Sequence, residues 1–175
     1  DNECTDPNID DSDGDTINDG EEVNLYGSDP RDTDTDDDNL GDATEITNCI
    51  YGENGNGCTN ILSADSDADG VNDYDEIYNC IYGEADDECT DPLKKYSDGD
   101  LLSDGEEIGL HLTDPMDMDT DDDGLSDYVE SISCHFGENN DECTDPTNSD
   151  TDEDGINDYD ERMTCIYGTN DDECT

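Results

Sequence analysis

The chain has 175 residues, with 57 Asp and Glu against four Lys and Arg, a formal net charge of −53, and only 28% hydrophobic residues. So little apolar surface excludes a single conventional core, and so much negative charge excludes a nucleic-acid partner. No apolar run reaches the roughly 18–20 residues of a membrane span. With neither a secretory apolar segment nor an initiator Met, the chain reads as processed or as a window of something longer.

Such a composition ordinarily means disorder, but the acids keep register. A shift of 85 residues superposes the chain on itself: Asp1–Pro7 meets Asp86–Pro92, and Cys4, Cys49, Cys58, Cys80 and Cys89 meet Cys89, Cys134, Cys143, Cys165 and Cys174. The sequence therefore reads as repeat unit 1 (1–85), repeat unit 2 (86–170) and the start of a further unit (171–175). Because it begins and ends at the same phase, further units are expected on both sides. Each unit contains three subrepeats marked by an acidic 12-mer, at 11–22, 34–45, 65–76, 96–107, 119–130 and 150–161. Tandem units of this kind predict a quasi-one-dimensional array in which each touches mainly its neighbours.

In chain order, positions 1, 3, 5, 9 and 12 of the 12-mers are Asp11, Asp13, Asp15, Asp19 and Glu22; then Asp34, Asp36, Asp38, Asp42 and Glu45; then Asp65, Asp67, Asp69, Asp73 and Glu76. The fourth has Tyr96 at position 1, followed by Asp98, Asp100, Asp104 and Glu107. The fifth and sixth give Asp119, Asp121, Asp123, Asp127 and Glu130, and Asp150, Asp152, Asp154, Asp158 and Glu161. Six to eight oxygens around one ion is the demand of Ca²⁺, and this numbering wraps a loop around it. Position 7 (Ile17, Leu40, Val71, Leu102, Leu125, Ile156) would offer its backbone carbonyl, and Glu at position 12 would close the shell. Gly70, Gly124 and Gly155 suit a sharp bend at position 6 and Asn39 tolerates it; Thr16 and Leu101 fit less well. A hard, all-oxygen set favours Ca²⁺ over Zn²⁺, and Mg²⁺ prefers fewer protein ligands. These positions use 29 of the 57 acids. That leaves enough for at least one Ca²⁺ per loop and for more. An acidic disordered spacer is the alternative, which six 12-mers in register oppose.

The pattern Asp-x-Asp-x-Asp-Gly-[Leu/Ile/Val]-x-Asp-x-x-Glu, preceded by a Thr-Asp-Pro-type step, resembles thrombospondin type 3 repeats, especially their bacterial form. Asp119–Glu130 and Asp150–Glu161 are the closest matches. The resemblance covers nearly the whole chain and implies extracellular Ca²⁺ binding along an extended chain, with the ions acting as the core. The loops are also similar to those of EF-hands and dockerins, but the apolar residue sits at position 7 rather than 8. The expected fold class is an irregular calcium-stabilised tandem repeat: acidic loops each followed by a short helix, elongated, with little hydrophobic core and stapled by disulfides.

After position 9 the pattern turns helical for about two turns, as in Asp73–Gly83, where Ile77, Cys80 and Ile81 share a face. Asp73 and Glu76 also make an Asp-x-x-Glu capping pattern. Gly27, Gly52, Gly83, Gly137 and Gly168 fall where a helix stop is expected. Five residues before each next loop stands Asp-Pro (Asp6, Asp29, Asp91, Asp114, Asp145), with Asn60-Ile61 in place of one. Its Asp reads either as a ligand to a neighbouring ion or as an Asx-type turn.

Eight of the nine Cys form Cys-x8-Cys pairs, predicting disulfides Cys49–Cys58, Cys80–Cys89, Cys134–Cys143 and Cys165–Cys174. Cys4 matches the second member of a pair whose first would precede Asp1. Disulfides imply an extracellular or cell-surface setting, where millimolar Ca²⁺ suits loops of extracellular-module affinity. No Cys-x-x-Cys is present and only two His, His111 and His135, so zinc, redox and enzymatic roles are not expected. The set Tyr51, Tyr82, Phe136 and Tyr167 follows Cys by two residues, and its expected task is to cover the disulfide. Carbohydrate stacking there and threonine-linked glycans stay open as partner classes. The function expected is a non-enzymatic stalk, spacer or fibre subunit, with other copies or repeats of itself as partners. The competing class is a calcium-dependent adhesion or docking module.

Overall fold

The structure, a computed structural model, describes residues 4–47, 57–80, 89–132 and 143–167. The chain divides into two compact units. One carries the loops 11–22, 34–45 and 65–76 together with Cys89–Lys95; the other carries 96–107, 119–130 and 150–161. The repeat phase puts a boundary after residue 85. The Cys80–Cys89 disulfide keeps Cys89–Lys95 with the first unit instead, so the division falls between Lys95 and Tyr96.

Among the described residues secondary structure is helical and short. A helical turn opens at position 9 of every 12-mer: Asp19–Glu21, Asp42–Thr47, from Asp73, Asp104–Glu106, Asp127–Ser131 and Asp158–Tyr167. Acids crowd these N-termini, where the helix dipole favours them. Three of the turns widen into π-helix at Glu22–Tyr26, Asp75–Asn79 and Glu107–His111. Each π turn ends on a left-handed residue: Gly27 (φ 85°), Cys80 (φ 39°) and Leu112 (φ 62°). The expected stop at Gly27 holds, whereas the turn after the third loop ends at Cys80, short of Gly83. Gly52, Gly83, Gly137 and Gly168 lie outside the described residues. None of the described helices is long and apolar enough to cross a membrane.

The buried apolar side chains come singly, about one per loop. Ile17, Leu40, Val71, Leu102 and Leu125, all at loop position 7, are buried, and Ile61 joins them. The sixth position-7 residue, Ile156, is 47% exposed. Each buried aliphatic side chain is worth about 1.5–3 kcal/mol, set against an ordering cost of about 1–2 kcal/mol for every residue's backbone. Six of them cannot order this chain. Among the described residues the most completely buried polar side chains are acids: Glu22, Glu45, Glu107, Glu130, Asp42, Asp73, Asp104 and Asp127 are all 0% exposed, and buried Ser and Thr accompany them. Carboxylates therefore occupy the interior that Leu and Val would fill elsewhere.

Candidate metal centre

Each 12-mer is shaped by its own carboxylates. The position-9 aspartate clasps position 2: in the fourth loop Ser97 donates its N–H to Asp104 Oδ1 (2.8 Å) and its O–H to Oδ2 (2.6 Å). The same double bond joins Ser12 to Asp19, Thr35 to Asp42, Ser66 to Asp73, Thr120 to Asp127 and Thr151 to Asp158. Position 2 is Ser or Thr in all six, a regularity visible in the sequence but not singled out there. Position 5 then accepts from the position-7 N–H, as in Asp100 from Leu102 (2.6 Å) and Asp123 from Leu125 (2.6 Å). Position 3 accepts from the position-5 N–H, as in Asp98 from Asp100 (2.8 Å).

Position 1 folds the sharp bend. Its Oδ2 accepts from the position-6 N–H in five loops: Asp11 from Thr16, Asp34 from Asn39, Asp65 from Gly70, Asp119 from Gly124 and Asp150 from Gly155. Those five position-6 residues are left-handed, with φ between 80° and 106°. The expected bend is thus present, Thr16 included, while Leu101 of the fourth loop is not among the left-handed residues. A second left-handed residue was not anticipated. Position 4 has positive φ in all six loops: Gly14, Asp37, Ala68, Gly99, Asp122 and Glu153. Glycine at position 4 of the first and fourth loops carried that signal.

Once these bonds are made, buried oxygens remain without a protein donor. They include Asp13 Oδ2, Asp15 Oδ2, Asp34 Oδ1, Asp36 Oδ2, Asp38 Oδ2, Asp98 Oδ2, Asp121 Oδ2, both oxygens of Glu22 and Oε2 of Glu107. An unpaired buried carboxylate costs several kcal/mol, and here several converge. One oxygen from each of Asp11, Asp13 and Asp15 lies within 4.8 Å of the others; so do those of Asp34, Asp36 and Asp38, of Asp65, Asp67 and Asp69, and of Asp98, Asp100 and Glu107. These clusters can hold a metal ion, and their all-oxygen donors suit a hard cation.

The position-12 glutamates face a particular side of this arrangement. Burial first, and then neighbouring aspartates, push Glu22 up to about 7, Glu45 and Glu130 to about 8, and Glu76 and Glu107 to about 9. For Glu107 the neighbours are Asp98, Asp100 and Asp104 of its own loop and Asp127 of the next; for Glu22 they are Asp13, Asp15, Asp19 and Asp42. Glu22, Glu107 and Glu130 thus face positions 3 and 5 of their own loop and position 9 of the following one, whereas Glu161 faces Asp152, Asp154, Asp158 and Asp150 of its own. Oxygens of positions 1, 3 and 5 converge in the first three loops, and those of positions 3, 5 and 12 converge in the fourth. Burial likewise raises Asp38, Asp121 and Asp127 to about 6.

The next subrepeat adds to the group around position 12. Thr ahead of the Asp-Pro step, or of Asn60-Ile61, packs on the preceding glutamate: Thr113 donates to Glu107 (3.4 Å) and Thr144 to Glu130 (2.8 Å), while Thr59 lies beside Glu45 and Thr90 beside Glu76. The Asp of each step forms an Asx turn, accepting from the N–H two residues on at Asp6, Asp29, Asp91, Asp114 and Asp145, and Asn60 does the same. In the second unit, Asp100 Oδ2 accepts from Tyr128 N–H (3.0 Å) and Asp123 Oδ2 from Tyr159 N–H (2.9 Å), tying position 5 to the following helix start.

The predicted disulfide Cys80–Cys89 is formed, with Cα atoms 4.6 Å apart. It fastens Thr90, beside Glu76, to the end of the π turn that carries Glu76. Cys58 and Cys143 are also disulfide-bonded; their expected partners Cys49 and Cys134, and the side chains of Cys165 and Cys174, lie outside the described residues, as does His135. Cys4 is a free, exposed thiol. Comparison with protein-family models, curated proteins and solved structures finds no match to this chain, so the repeat geometry itself carries the functional reading.

Proposed function

We propose that this chain is an extracellular calcium-binding structural repeat protein of the thrombospondin type 3 kind, serving as a stalk, spacer or fibre subunit. The observation that carries the reading is the recurrence of fully buried glutamates whose surroundings are aspartates rather than cationic side chains. The ion pair Arg31–Asp29, at 3.5 Å, lies on the surface and away from these glutamates. Buried like charges at this density need positive charge from outside the chain, and six to eight oxygens per ion is the calcium habit. A complete loop then takes two cations. The outer one sits on positions 1, 3 and 5. The inner one sits on positions 3, 5 and 12, joined by position 9 of the next loop where both loops belong to one unit. The mechanical role follows from the energetics: cations replace a hydrophobic core, so rigidity is set by external calcium. The disulfide supports an oxidising compartment.

The test is metal analysis of the purified chain paired with small-angle scattering in calcium and in chelator. Bound calcium of at least one ion per loop, with expansion on its removal, is the expected outcome. A metal-free chain with unchanged dimensions would overturn the reading.

A further inference from the structure

The loops are not equal in the oxygens they offer. The first loop begins Asp10-Asp11-Ser12-Asp13-Gly14-Asp15, and its repeat equivalent begins Lys95-Tyr96-Ser97-Asp98-Gly99-Asp100. Tyr96 removes the outer carboxylate, and the residue before it is a lysine whose ammonium donates to the Ala68 carbonyl (2.6 Å) within the first unit. The inner group of this loop is intact. Asp98, Asp100 and Glu107 bring oxygens within 4.8 Å of one another. Glu107 is 0% exposed, and its Oε2 and Asp98 Oδ2 are buried without a protein donor. The bend also registers the loss: with no position-1 carboxylate to accept its N–H, Leu101 stays out of the left-handed region.

We infer that the loop 96–107 is a one-cation loop in an array of two-cation loops, holding a divalent cation through Asp98, Asp100 and Glu107 and none at the outer position. The inference rests on the calcium reading above and adds a stoichiometry to it. A neutral phenol is a poor ligand for a hard cation at neutral pH, and without a position-1 carboxylate only the two shared aspartates, Asp98 and Asp100, are left for the outer position. The fourth subrepeat is therefore the point at which this array carries least cation charge.

The test counts calcium per chain by native mass spectrometry of the full chain at saturating calcium, together with anomalous scattering from crystals of the unaltered protein. Tyr96→Asp is expected to add one ion, Asp11→Asn to remove one, and Glu107→Gln to remove one. The anomalous map is expected to show one peak in the loop 96–107 and two in the loop 119–130. It keeps the inference testable if Tyr96→Asp does not fold. Two peaks in both loops, or no gain with Tyr96→Asp while Asp11→Asn loses an ion, would overturn the one-cation assignment and leave the calcium reading standing. No bound calcium in any variant would overturn the calcium reading itself.

Discussion

The fourth and fifth loops lie in the same compact unit and differ most at their first residue, Tyr96 against Asp119. Downstream of it the two agree. Ser97 and Thr120 clasp Asp104 and Asp127. Leu102 and Leu125 are buried, Glu107 and Glu130 are sealed, and Asp100 and Asp123 both reach the next helix start. At position 6 they part: Gly124 is left-handed and bonded to Asp119, whereas Leu101 is neither. The comparison separates two functions within one 12-mer. Positions 2, 5, 7 and 9 build the loop and its junction, and position 1 builds only the bend and the outer oxygens.

Complete chelation should erase the difference between the loops, because in both the like-charged inner oxygens repel one another once no cation holds them together. The expected change is expansion toward the radius of gyration of about 44 Å given by unfolded-chain scaling for this length, read by small-angle scattering. Acid should then act on both loops alike. Glu107 and Glu130 have folded pKa values of about 9 and 8, above the ordinary 4.5. In the ion-free chain these raised values favour folding below pH 4.5 and lose that contribution as pH rises through 8–9. Chelated protein should therefore be more stable at pH 5 than at pH 8, while calcium binding, which must displace those protons, should weaken as pH falls. Proton release on calcium addition in unbuffered titration checks the sign.

Glu107→Gln and Glu130→Gln should cost similar stability, about 2.7 kcal/mol each when free calcium is a hundredfold above the lost site's dissociation constant, measured by denaturant unfolding. A large inequality would mean that position 1 contributes to the inner group after all. Ser97→Ala and Thr120→Ala remove one hydroxyl donor from a buried aspartate and should each cost about 1–3 kcal/mol, again equally. Gly124→Ala is the smallest and the most selective. It places a Cβ at φ 104° and 3.3 Å from the Tyr159 ring, costing about 1–2 kcal/mol. Leu101→Gly, where no left-handed bend exists, should show no matching gain beyond the ordinary penalty for added chain freedom.

Much of this was legible because the chemistry is local. Carboxylates at 1, 3 and 5, the bend at 6 and the Cys-x8-Cys spacing all act within one loop or its tail, so a repeated spacing exposes them. Two features were hidden for physical reasons. The side of the loop faced by Glu107 depends on the backbone path through Gly99 and Leu101, and the approach of Asp127 to it depends on the advance from one subrepeat to the next. Neither is encoded by a spacing within a single 12-mer. The Ser/Thr–Asp clasp was hidden differently. Hydroxyl residues in acidic loops read as solvated, and only the recurrence at position 2 marks them as donors. The Asp-Pro aspartates read either as ligand or as turn, and the accepted N–H two residues on shows the turn, which occupies one carboxylate oxygen.

Asp100 and Asp123 each spend one oxygen on their own loop and the other on the backbone of the loop that follows. A subrepeat of this chain is consequently not an interchangeable cassette. Shuffling, deleting or duplicating one would leave an aspartate reaching for a helix start that has moved, so any lengthened or shortened version must be cut where both halves of that handshake travel together.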